Sequence, residues 1–395
     1  MSRSLLSLGE IFDIARGGSP RPIDSFLTQD PDGINWIMIG DTPEGSKYIT
    51  ATRKRIRPEG VGRSRKVQPG DFLLTNSMSF GRPYISQIHG CIHDGWLALS
   101  PREEICPDFF YHLLGSDSVY AQFVKKAAGA TVKNLNIDLV RAVRVAVPPL
   151  AEQQRIADIL DKTDALRAKR RAALAQLDEL TQSVFLEMFG DPVTNPKGWH
   201  LSPLDVVAEV QGGIALNGSR TNLPFQVPYL RVANVYRDRL DLREVKAMSV
   251  TAAELKRNQL AKDDLLIVEG HGNADEIGRA ALWDGSIAPC VHQNHLIRVR
   301  FDAHRLVPRF ACEFLNSPGG RRHLLRSGKT TSGLNTINVS EVRRTPVAVP
   351  PMELQERFVE RVASVDQLRG CALVGLAELD ALFASLQHRA FNGDL

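Results

Sequence analysis

The chain has 395 residues, of which 43% are hydrophobic and 24% charged, with a formal net charge of +4. This composition excludes a disordered polypeptide and suits two or three globular domains. The five cysteines are odd in number and form no C-x-x-C pair, which argues against a disulfide framework and a thiolate zinc site. No apolar run looks long enough to span a membrane, so we expect a soluble, cytoplasmic protein without a membrane partner.

The first 147 residues contain short apolar or alternating segments, such as NWIMIGD and DFLLTNS, bounded by Gly, Pro, Asn and Asp. These segments predict strands. A helical pattern, PDFFYHLLGSDSVYAQFVKKAAG, follows them. The region is therefore predicted to be an α+β domain with a mixed or antiparallel sheet, and the region up to residue 349 has the same character.

One motif occurs twice in the chain. VAVPPLAEQQRI begins at Val145 and VAVPPMELQERF begins at Val347, an offset of 202 residues. At this offset Asn136, Arg141, Gln153, Arg155, Arg167 and Asp178 recur as Asn338, Arg343, Gln355, Arg357, Arg369 and Asp380. Weaker echoes pair Gly17-Gly18 with Gly212-Gly213, Gly81-Arg82 with Gly278-Arg279, and Cys91-Ile92-His93 with Cys290-Val291-His292. The chain is thus predicted to be two copies of one unit.

Each copy ends in a predicted long helix. Two prolines open the first helix, and no further Pro or Gly appears until Gly190. Residues spaced alternately by four and three predict a coiled-coil seam. The seam runs through Ile159, Thr163, Leu166, Arg170, Ala173, Leu177, Leu180 and Val184, and through Arg361, Val365, Leu368, Ala372, Gly375, Leu379, Leu382 and Leu386.

The connectivity favours antiparallel helices, because the region that joins them, residues 191–349, then needs to bridge only neighbouring helix ends. The predicted segments are a first domain at 1–147, a helix at 148–190, a hinge and second domain at 191–349, and a second helix at 350–395. The two variable domains are expected at opposite ends of the helical pair.

Catalytic motifs are absent from the sequence. There is no G-x-x-x-x-G-K-[ST] loop, no G-x-G-x-x-G after a strand, and no adenine methyltransferase signature, because Asp191-Pro192 lacks the second proline and the aromatic. Cys290, His292 and His295, with His271 upstream, are weighed as zinc ligands. Because the first copy lacks the third ligand, we expect no metal site.

The doubled V-A-V-P-P-[LM]-x-x-Q-x-R motif and the helix ends LEMFGDPVTNPKGW and LFASLQHRAFNGDL resemble the specificity subunit of type I restriction-modification systems. The resemblance covers essentially the whole chain. It implies a non-catalytic subunit in which each variable domain is a target-recognition domain that reads one half of an asymmetric, bipartite site in double-stranded DNA. The paired helices would set the spacing and dock two modification subunits, which methylate adenine.

The resemblance also implies that restriction subunits join the full complex. It places S-adenosylmethionine, ATP and Mg on the partner subunits and no cofactor on this chain. Two alternatives stay open at this point. A stand-alone methyltransferase or nuclease would bind S-adenosylmethionine or cleave DNA by itself, and a stand-alone DNA-binding regulator would bind its site without partners.

The predicted DNA contacts are basic, amide, hydroxyl or imidazole side chains, because these groups bind phosphates and base edges. They are Ser19, Arg21, Arg53, Lys54, Arg55, Arg63, Arg65, Lys66, Arg82, Thr131, Lys133, Asn134, Asn136, Arg220, Arg237, Arg279, His292, Gln293, Asn294, His295, Lys329, Thr330, Ser332, Asn335 and Asn338. The predicted coiled-coil and docking residues are Gln153, Arg155, Ile159, Leu166, Leu177, Leu180, Val184, Gln355, Arg357, Leu368, Leu379, Leu382 and Leu386.

Overall fold

A computed structural model describes residues 4–42, 45–76, 80–127, 135–218, 220, 223–331 and 334–395 of the chain. The chain divides into two units. The first comprises Met1–Ala173 and Ala372–Leu395, and the second comprises Leu174–Cys371. Each unit therefore contains one half of each long helix, whereas the sequence predicts the helices as separate segments.

The first unit combines mixed sheets with helices. Its strands are Ser4–Ser7 (β1), Phe12–Arg16 (β2), Leu27–Thr28 (β3), Ile34–Ile37 (β4), Tyr48–Ile49 (β5), Lys54–Ile56 (β6), Arg65–Val67 (β7), Phe72–Thr75 (β8), Pro83–Ser86 (β9), Gly90–Ile92 (β10), Trp96–Pro101 (β11) and Arg144–Val147 (β12). Its helices are Leu8–Ile11 (α1), Pro107–Leu114 (α2), Asp117–Ala127 (α3) and Ile137–Arg141 (α4), and the first long helix, Leu150–Phe189 (α5), begins here. The sheet orders are β3-β6-β4-β10-β7 and β2-β11-β8-β9-β5, and β1 pairs with β12. Each of the two larger sheets contains one parallel pair, β10 with β4 and β5 with β9.

The core of the first unit lies between the sheet that contains β2 and helices α2 and α5. Phe12 and Phe72 from the strands pack with Phe110 of α2 and Leu160 of α5, and all four are fully buried. Ala390, near the end of the second long helix, belongs to the same core. The strand face and the apolar helix faces thus close one core between two layers.

The second unit repeats this plan. Its strands are Leu201–Pro203 (β13), Ala208–Gly212 (β14), Phe225–Leu230 (β15), Val235–Tyr236 (β16), Arg239–Leu240 (β17), Lys246–Val250 (β18), Leu265–Val268 (β19), Gly270–His271 (β20), Ala280–Leu282 (β21), Val291–His292 (β22), Leu296–Phe301 (β23), Lys329–Thr331 (β24), Leu334–Thr336 (β25) and Pro346–Ala348 (β26). Its helices are Leu204–Val207 (α6), Ala252–Asn258 (α7), Pro308–Asn316 (α8), Arg322–Ser327 (α9), Val339–Arg343 (α10) and the second long helix, Met352–Asn392 (α11).

The sheets of the second unit have the orders β14-β23-β19-β21, β18-β15-β22 and β20-β25-β24, and β13 pairs with β26 as β1 pairs with β12. Strand β22 is parallel to β15 and the other pairs within these sheets are antiparallel. The predicted α+β class with mixed sheets is therefore confirmed in both units.

The two long helices run antiparallel inside each unit. In the first unit Arg167 Nε of α5 lies 2.6 Å from Asp380 Oδ1 of α11. In the second unit Asp178 of α5 forms an ion pair with Arg369 of α11, and Phe185 of α5 packs on Phe358 of α11 with ring centres 5.7 Å apart. Later residues of α5 thus meet earlier residues of α11. The offset of 202 residues maps one Arg–Asp pair onto the other, so the duplicated sequence makes the same ion pair twice.

The buried face of these helices is partly offset from the predicted seam. Thr163, Leu177 and Val184 lie on the buried face as predicted, and so do Val365, Leu379 and Leu386. The prediction is wrong for Leu166, Leu180, Leu368 and Leu382, which are between 46% and 58% exposed. In each case the next residue, Arg167, Thr181, Arg369 or Phe383, is the one turned inward. Arginine fits there because its stem packs on apolar surface: the Arg167 guanidinium carbon lies 4.4 Å from the ring centre of Phe383.

Candidate nucleic-acid interface

The turns that follow β8 and β19 have the same backbone hydrogen bonds in both units. In the first unit, Asn76 N donates to Gly95 O (3.0 Å) and Leu135 N donates to Asn76 O (3.1 Å). In the second unit, Glu269 N donates to His295 O (3.0 Å) and Ile337 N donates to Glu269 O (2.8 Å). Asn76 is therefore equivalent to Glu269, and Gly95 to His295. One backbone scaffold presents different side chains in the two units.

A double-glycine loop in each unit crosses this scaffold at very close range. A Cβ on Gly17 would lie 2.0 Å from His93 O, and a Cβ on Gly213 would lie 2.3 Å from Gln293 O. Gly17 is therefore the counterpart of Gly213, so the alignment of Gly17-Gly18 with Gly212-Gly213 is wrong by one residue. Only glycine lets the backbones approach this closely.

This close approach gives a stability prediction. Gly17→Ala is expected to lower the free energy of unfolding by about 2 kcal/mol or more, because the added methyl group collides with a backbone carbonyl. Gly62→Ala is the matched control, because a Cβ there would meet no described heavy atom within 4 Å. Urea unfolding of both variants measures the difference. Equal midpoints for the two variants would contradict the assigned close approach.

His292 lies in the core and not at the interface. Its side chain is fully buried, and neither ring nitrogen has a hydrogen-bond partner among the described residues. Burial lowers the pKa of His292 to about 4. Because Ile214 N donates to His292 O as Gly18 N donates to Ile92 O, His292 occupies the place of the apolar Ile92. The predicted base contact is therefore wrong, and the Cys-x-His echo is offset by one residue.

In the first unit, two predicted DNA contacts converge on a carboxylate that the sequence did not single out, and a third contacts one of these two residues. Ser19 Oγ donates to Asp94 Oδ1 (2.8 Å), and Arg21 Nη2 lies 3.8 Å from Asp94 Oδ2. Arg63 Nη1 donates to Arg21 O (3.5 Å). The hydrogen bond from Ser19 lowers the pKa of Asp94, which keeps the carboxylate ionised as an acceptor. An ionised carboxylate accepts from the amino group of cytosine, and the exposed guanidinium of Arg21 suits phosphate or guanine.

The fold places the basic side chains of residues 53–66 on different strands and in different environments. Lys54 on β6 and Lys66 on β7 are both exposed, and they share one cross-strand row through Trp36 and Cys91. With strands about 4.8 Å apart, the two backbone positions are about 14 Å apart. Arg53 and Arg65 are also exposed. Arg55 instead donates to the backbone carbonyls of Pro31 and Gly33 and stabilises its own loop.

In the second unit, loops far apart in sequence surround a cavity of about 540 Å³. Its lining includes the predicted residues Arg279, Gln293 and His295, and also Arg231, Tyr236 and His271, which the sequence did not identify as DNA contacts. No pattern in the sequence marks Arg231 or Tyr236, and His271 was considered only as a zinc ligand, because the three come together only in the folded unit.

Arg279 and His295 at this cavity are both paired with acids. Arg279 Nη1 lies 2.9 Å from Glu276 Oε2, and its guanidinium carbon lies 4.9 Å from the ring centre of Tyr236. His295 Nδ1 lies 3.4 Å from Glu269 Oε2, and burial raises the pKa of Glu269. Arg279 is 7% exposed and is paired with Glu276. It therefore stabilises the wall of the cavity, and its positive charge is largely inaccessible to a phosphate.

Two further predicted arginines also have partners inside the second unit. Arg220 binds both carboxylate oxygens of Glu254, at 2.8 and 3.2 Å, and is 15% exposed. Arg237 donates to Asp275 O and lies 3.6 Å from Glu276 Oε1, with 41% of its side chain exposed. Arg220 is therefore a structural residue, whereas Arg237 retains a surface for a ligand.

The repeated asparagines of the two copies cap helices. Asn136 Oδ1 accepts from Leu139 N (2.8 Å) and caps α4, and Asn338 Oδ1 accepts from Glu341 N (3.0 Å) and caps α10. Arg82 and Asn294 remain candidates, with Arg82 exposed and Asn294 half-buried, and Asn335 Nδ2 donates to Gly272 O (3.5 Å). Thr131, Lys133, Asn134 and Ser332 lie outside the described residues, as do the side chains of Lys329 and Thr330.

The repeated glutamines are buried inside their own units. Gln153 Oε1 accepts from Cys106 N (3.0 Å) and its Nε2 donates to Pro148 O (2.9 Å). Gln355 makes the equivalent bonds, accepting from Val307 N (2.8 Å) and donating to Pro350 O (2.8 Å). The motif therefore ties each long helix to its domain, and these two side chains offer no docking surface. Arg155 and Arg357 are exposed and stay predicted docking residues.

The described residues contain no group of three His, Cys, Asp or Glu side chains that could hold a metal ion. Cys290 and His292 are both buried in the core. The features that these two units do share are exposed basic side chains, amides and paired carboxylates, which are recognition groups for nucleic acid.

Comparison with known proteins agrees with this arrangement. Residues 5–176 match the family model of the type I restriction modification DNA specificity domain. The StySPI specificity subunit of Salmonella potsdam is 26% identical over 385 residues, which covers 91% of this chain and 82% of that protein. The EcoKI specificity subunit of Escherichia coli K12 is 25% identical, with the same two coverages.

One solved structure, concerned with complex assembly and conformational transition of the type I R-M system, covers 100% of this chain and 98% of its own with a TM-score of 0.60 and 18% identity. It supports the fold. Residues 5–176 are thus similar to a DNA specificity domain. Because the relatives extend over most of the chain, the chain is similar along most of its length to type I restriction enzyme specificity subunits, the family that the duplicated motif resembles.

Proposed function

We propose that this chain is the non-catalytic subunit that gives a type I restriction-modification complex its DNA sequence specificity. The observation that carries the proposal is the shared scaffold with unlike side chains, Asn76 against Glu269 and Gly95 against His295. Asn76 itself is buried, and its Nδ2 donates to Asp94 O. At this scaffold the first unit therefore exposes the carboxylate of Asp94, whereas the second exposes the imidazole of His295, which is paired with Glu269. Each unit therefore reads a different half-site, and the whole site is not a palindrome.

The proposed partners are double-stranded DNA, two modification subunits that carry S-adenosylmethionine, and restriction subunits that use ATP and Mg in the cytoplasm. Support for two identical partners comes from exposed leucines at repeat positions. Leu166 and Leu382 belong to the first unit, and their counterparts Leu368 and Leu180 belong to the second. Each unit thus carries an equivalent apolar pair beside its Arg–Asp ion pair, and the paired helices of the spacer supply two equivalent docking surfaces.

Helix α11 departs from the prediction that no apolar segment of the chain is long enough to span a membrane. Among the described residues, this helix alone is long and apolar enough to cross a membrane. Its buried residues, including Phe358, Val362 and Ala390, pack within the two units. We propose that the partner subunits cover its exposed residues Leu368 and Leu382.

Co-expression with the cognate modification subunit tests the proposal. We expect a complex of two modification subunits per specificity chain by native mass spectrometry, and methylation of one bipartite site by the complex. The isolated chain should neither bind S-adenosylmethionine nor cleave DNA. Failure to associate, or methylation by the isolated chain, would contradict the proposed role.

Reversal of the exposed charges Arg53 and Lys54 to glutamate is expected to weaken binding of the complex to every DNA sequence by about tenfold, because both act on phosphates. The slope of log K against log salt should fall by about 2, since each lost phosphate contact removes about 0.9. Lys256→Glu with Arg257→Glu on α7 makes the same charge change at an exposed site outside the predicted contacts. An unchanged salt slope would refute the phosphate role.

A further inference from the structure

Helices α2 and α8 are equivalent residue by residue. Each begins with a proline, and the backbone N–H of the preceding residue, Cys106 or Val307, donates to the buried glutamine of the long helix. The second residue of each helix is Asp108 in the first unit and Arg309 in the second. The sixth is His112 in the first and Glu313 in the second. The two helices therefore carry opposite charge patterns at the same places.

In the first unit, these side chains join a cluster on α5. Lys47 Nζ lies 2.7 Å from Asp108 Oδ1 and 2.9 Å from both carboxylate oxygens of Asp161. His112 Nε2 lies 2.7 Å from Asp161 Oδ1, and His112 is 3% exposed. Asp161 of α5 thus receives two basic groups from the recognition domain, one from a loop and one from α2.

In the second unit, a cluster at the equivalent place joins α8 to α11. Arg309 forms an ion pair with Asp238 and lies 3.0 Å from Glu313 Oε1 and 3.4 Å from Asp366 Oδ2. Arg369 Nη1 lies 3.7 Å from both Asp238 Oδ2 and Asp366 Oδ1. The domain of the second unit thus supplies two acids and one arginine to its cluster, whereas the domain of the first unit supplies one acid and two bases.

The two long helices differ at the position of Asp161, the residue of α5 that binds both basic groups of the first domain. The repeat counterpart of Asp161 on α11 is Ala363. If the recognition domain of the second unit were seated on α5, its Glu313 would lie against Asp161. If the recognition domain of the first unit were seated on α11, its His112 and Lys47 would lie against Ala363. Neither would then have the carboxylate that Asp161 provides on α5. Either exchange leaves charges repelled or unpaired beside a largely buried side chain of the domain, His112 or Glu313, which is costly.

We infer that the two clusters sort the recognition domains between the start of α5 and the start of α11, so that each domain seats only at its own one of these two otherwise similar positions. A duplicated chain needs such a device, because both domains end in the same VAVPP motif and both helices share one register. The sorting concerns the fold of this chain alone. Its consequence for DNA, a fixed assignment of each half-site reader to one helix, rests on the proposed function.

The test is a charge substitution at Ala363, measured by thermal unfolding of the full chain. Ala363→Asp places on α11 the acid that α5 carries, so we expect its midpoint to lie several degrees below that of Ala363→Lys. The same two substitutions at the neighbouring residue Ser364, which is exposed as Ala363 is, control for charge and helix propensity. A difference at Ala363 no larger than the difference at Ser364 would overturn the inference.

The pH dependence separates charge repulsion from loss of packing. Glu313 is faced by the acids Asp238 and Asp366 and by the bases Arg309 and Arg369, and burial together with the acids raises its pKa to about 7. Its repulsion from the carboxylate that Ala363→Asp introduces is therefore present above the raised pKa and is lost as Glu313 takes up a proton below it. The difference between the Ala363→Asp and Ala363→Lys chains should shrink from about pH 8 to about pH 6. A difference that does not change with pH would contradict repulsion by Glu313.

A rescue experiment tests the pairing itself. Glu313→His transfers the His112–Asp161 arrangement to the second unit when it is combined with Ala363→Asp. We expect Glu313→His to lower the unfolding midpoint of the natural chain, because it loses the Arg309 pair, and to raise the midpoint of the Ala363→Asp chain. The same sign in both chains would overturn the inference. This comparison reports on pairing in the specificity chain by itself, so its failure leaves the proposed DNA role untouched.

Discussion

Gln153→Leu is expected to lower the free energy of unfolding of the first unit by about 2–4 kcal/mol, because two buried backbone groups lose their partner. The Cys106 N–H and the Pro148 carbonyl both bond to this side chain, and leucine can satisfy neither. Gln355→Leu should have the same effect on the second unit, where Val307 N and Pro350 O are left unpaired. Urea unfolding followed by hydrogen exchange of α2 and α8 measures both effects.

Gln154 is the matched control, because it is the neighbouring glutamine and its side chain is exposed. Gln154→Leu should change the free energy of unfolding by no more than about 0.5 kcal/mol. If Gln153→Leu were as mild as Gln154→Leu, the motif glutamine would not be the bond that holds the helix to its domain. A loss of partner binding with unchanged stability would instead support the docking role that the sequence suggested.

The second large effect is expected at the exposed leucine pairs. Leu166→Glu with Leu382→Glu places two charges on the proposed docking surface of the first unit, and should reduce the complex from two modification subunits to one. Leu180→Glu with Leu368→Glu should do the same through the second unit. All four substitutions together should leave the specificity chain without modification subunits. Native mass spectrometry gives the count directly.

Leu373→Glu with Val374→Glu serves as the control for this experiment. Both residues are exposed on α11, but their repeat counterparts on α5 are Arg171 and Ala172, so they form no matched apolar pair. The control should keep two modification subunits. Two subunits retained after the Leu166 and Leu382 changes would contradict the proposed surface.

The long helices were predictable because their signals are local. Two prolines and an uninterrupted helical stretch predicted a helix at 148–190, and α5 spans Leu150–Phe189. The register of the seam was less predictable, because leucine is the expected buried residue and arginine is not. Arg167 and Arg369 occupy the inward positions only because Asp380, Asp178 and Phe383 meet them from the other helix.

The candidate interface was predictable in composition and less so in detail. Ser19, Arg21 and the exposed lysines follow from charge and loop position. Asp94 and Tyr236 could not be found this way, because neither stands in a motif and both acquire partners from distant segments. His292 was misassigned because a Cys-x-His triplet occurs twice by chance, one residue out of register with the backbone hydrogen bonds.

The division of the chain between the two units has a consequence for the order of synthesis. The second unit is one continuous stretch, Leu174–Cys371, whereas the first unit needs Ala372–Leu395 as well. A ribosome has therefore delivered the whole second unit before the first can close its core around Ala390. Until the last turns of α11 have been made, the core that contains Ile156 and Leu160 is incomplete. The domain that is synthesised first is therefore the one that is completed last.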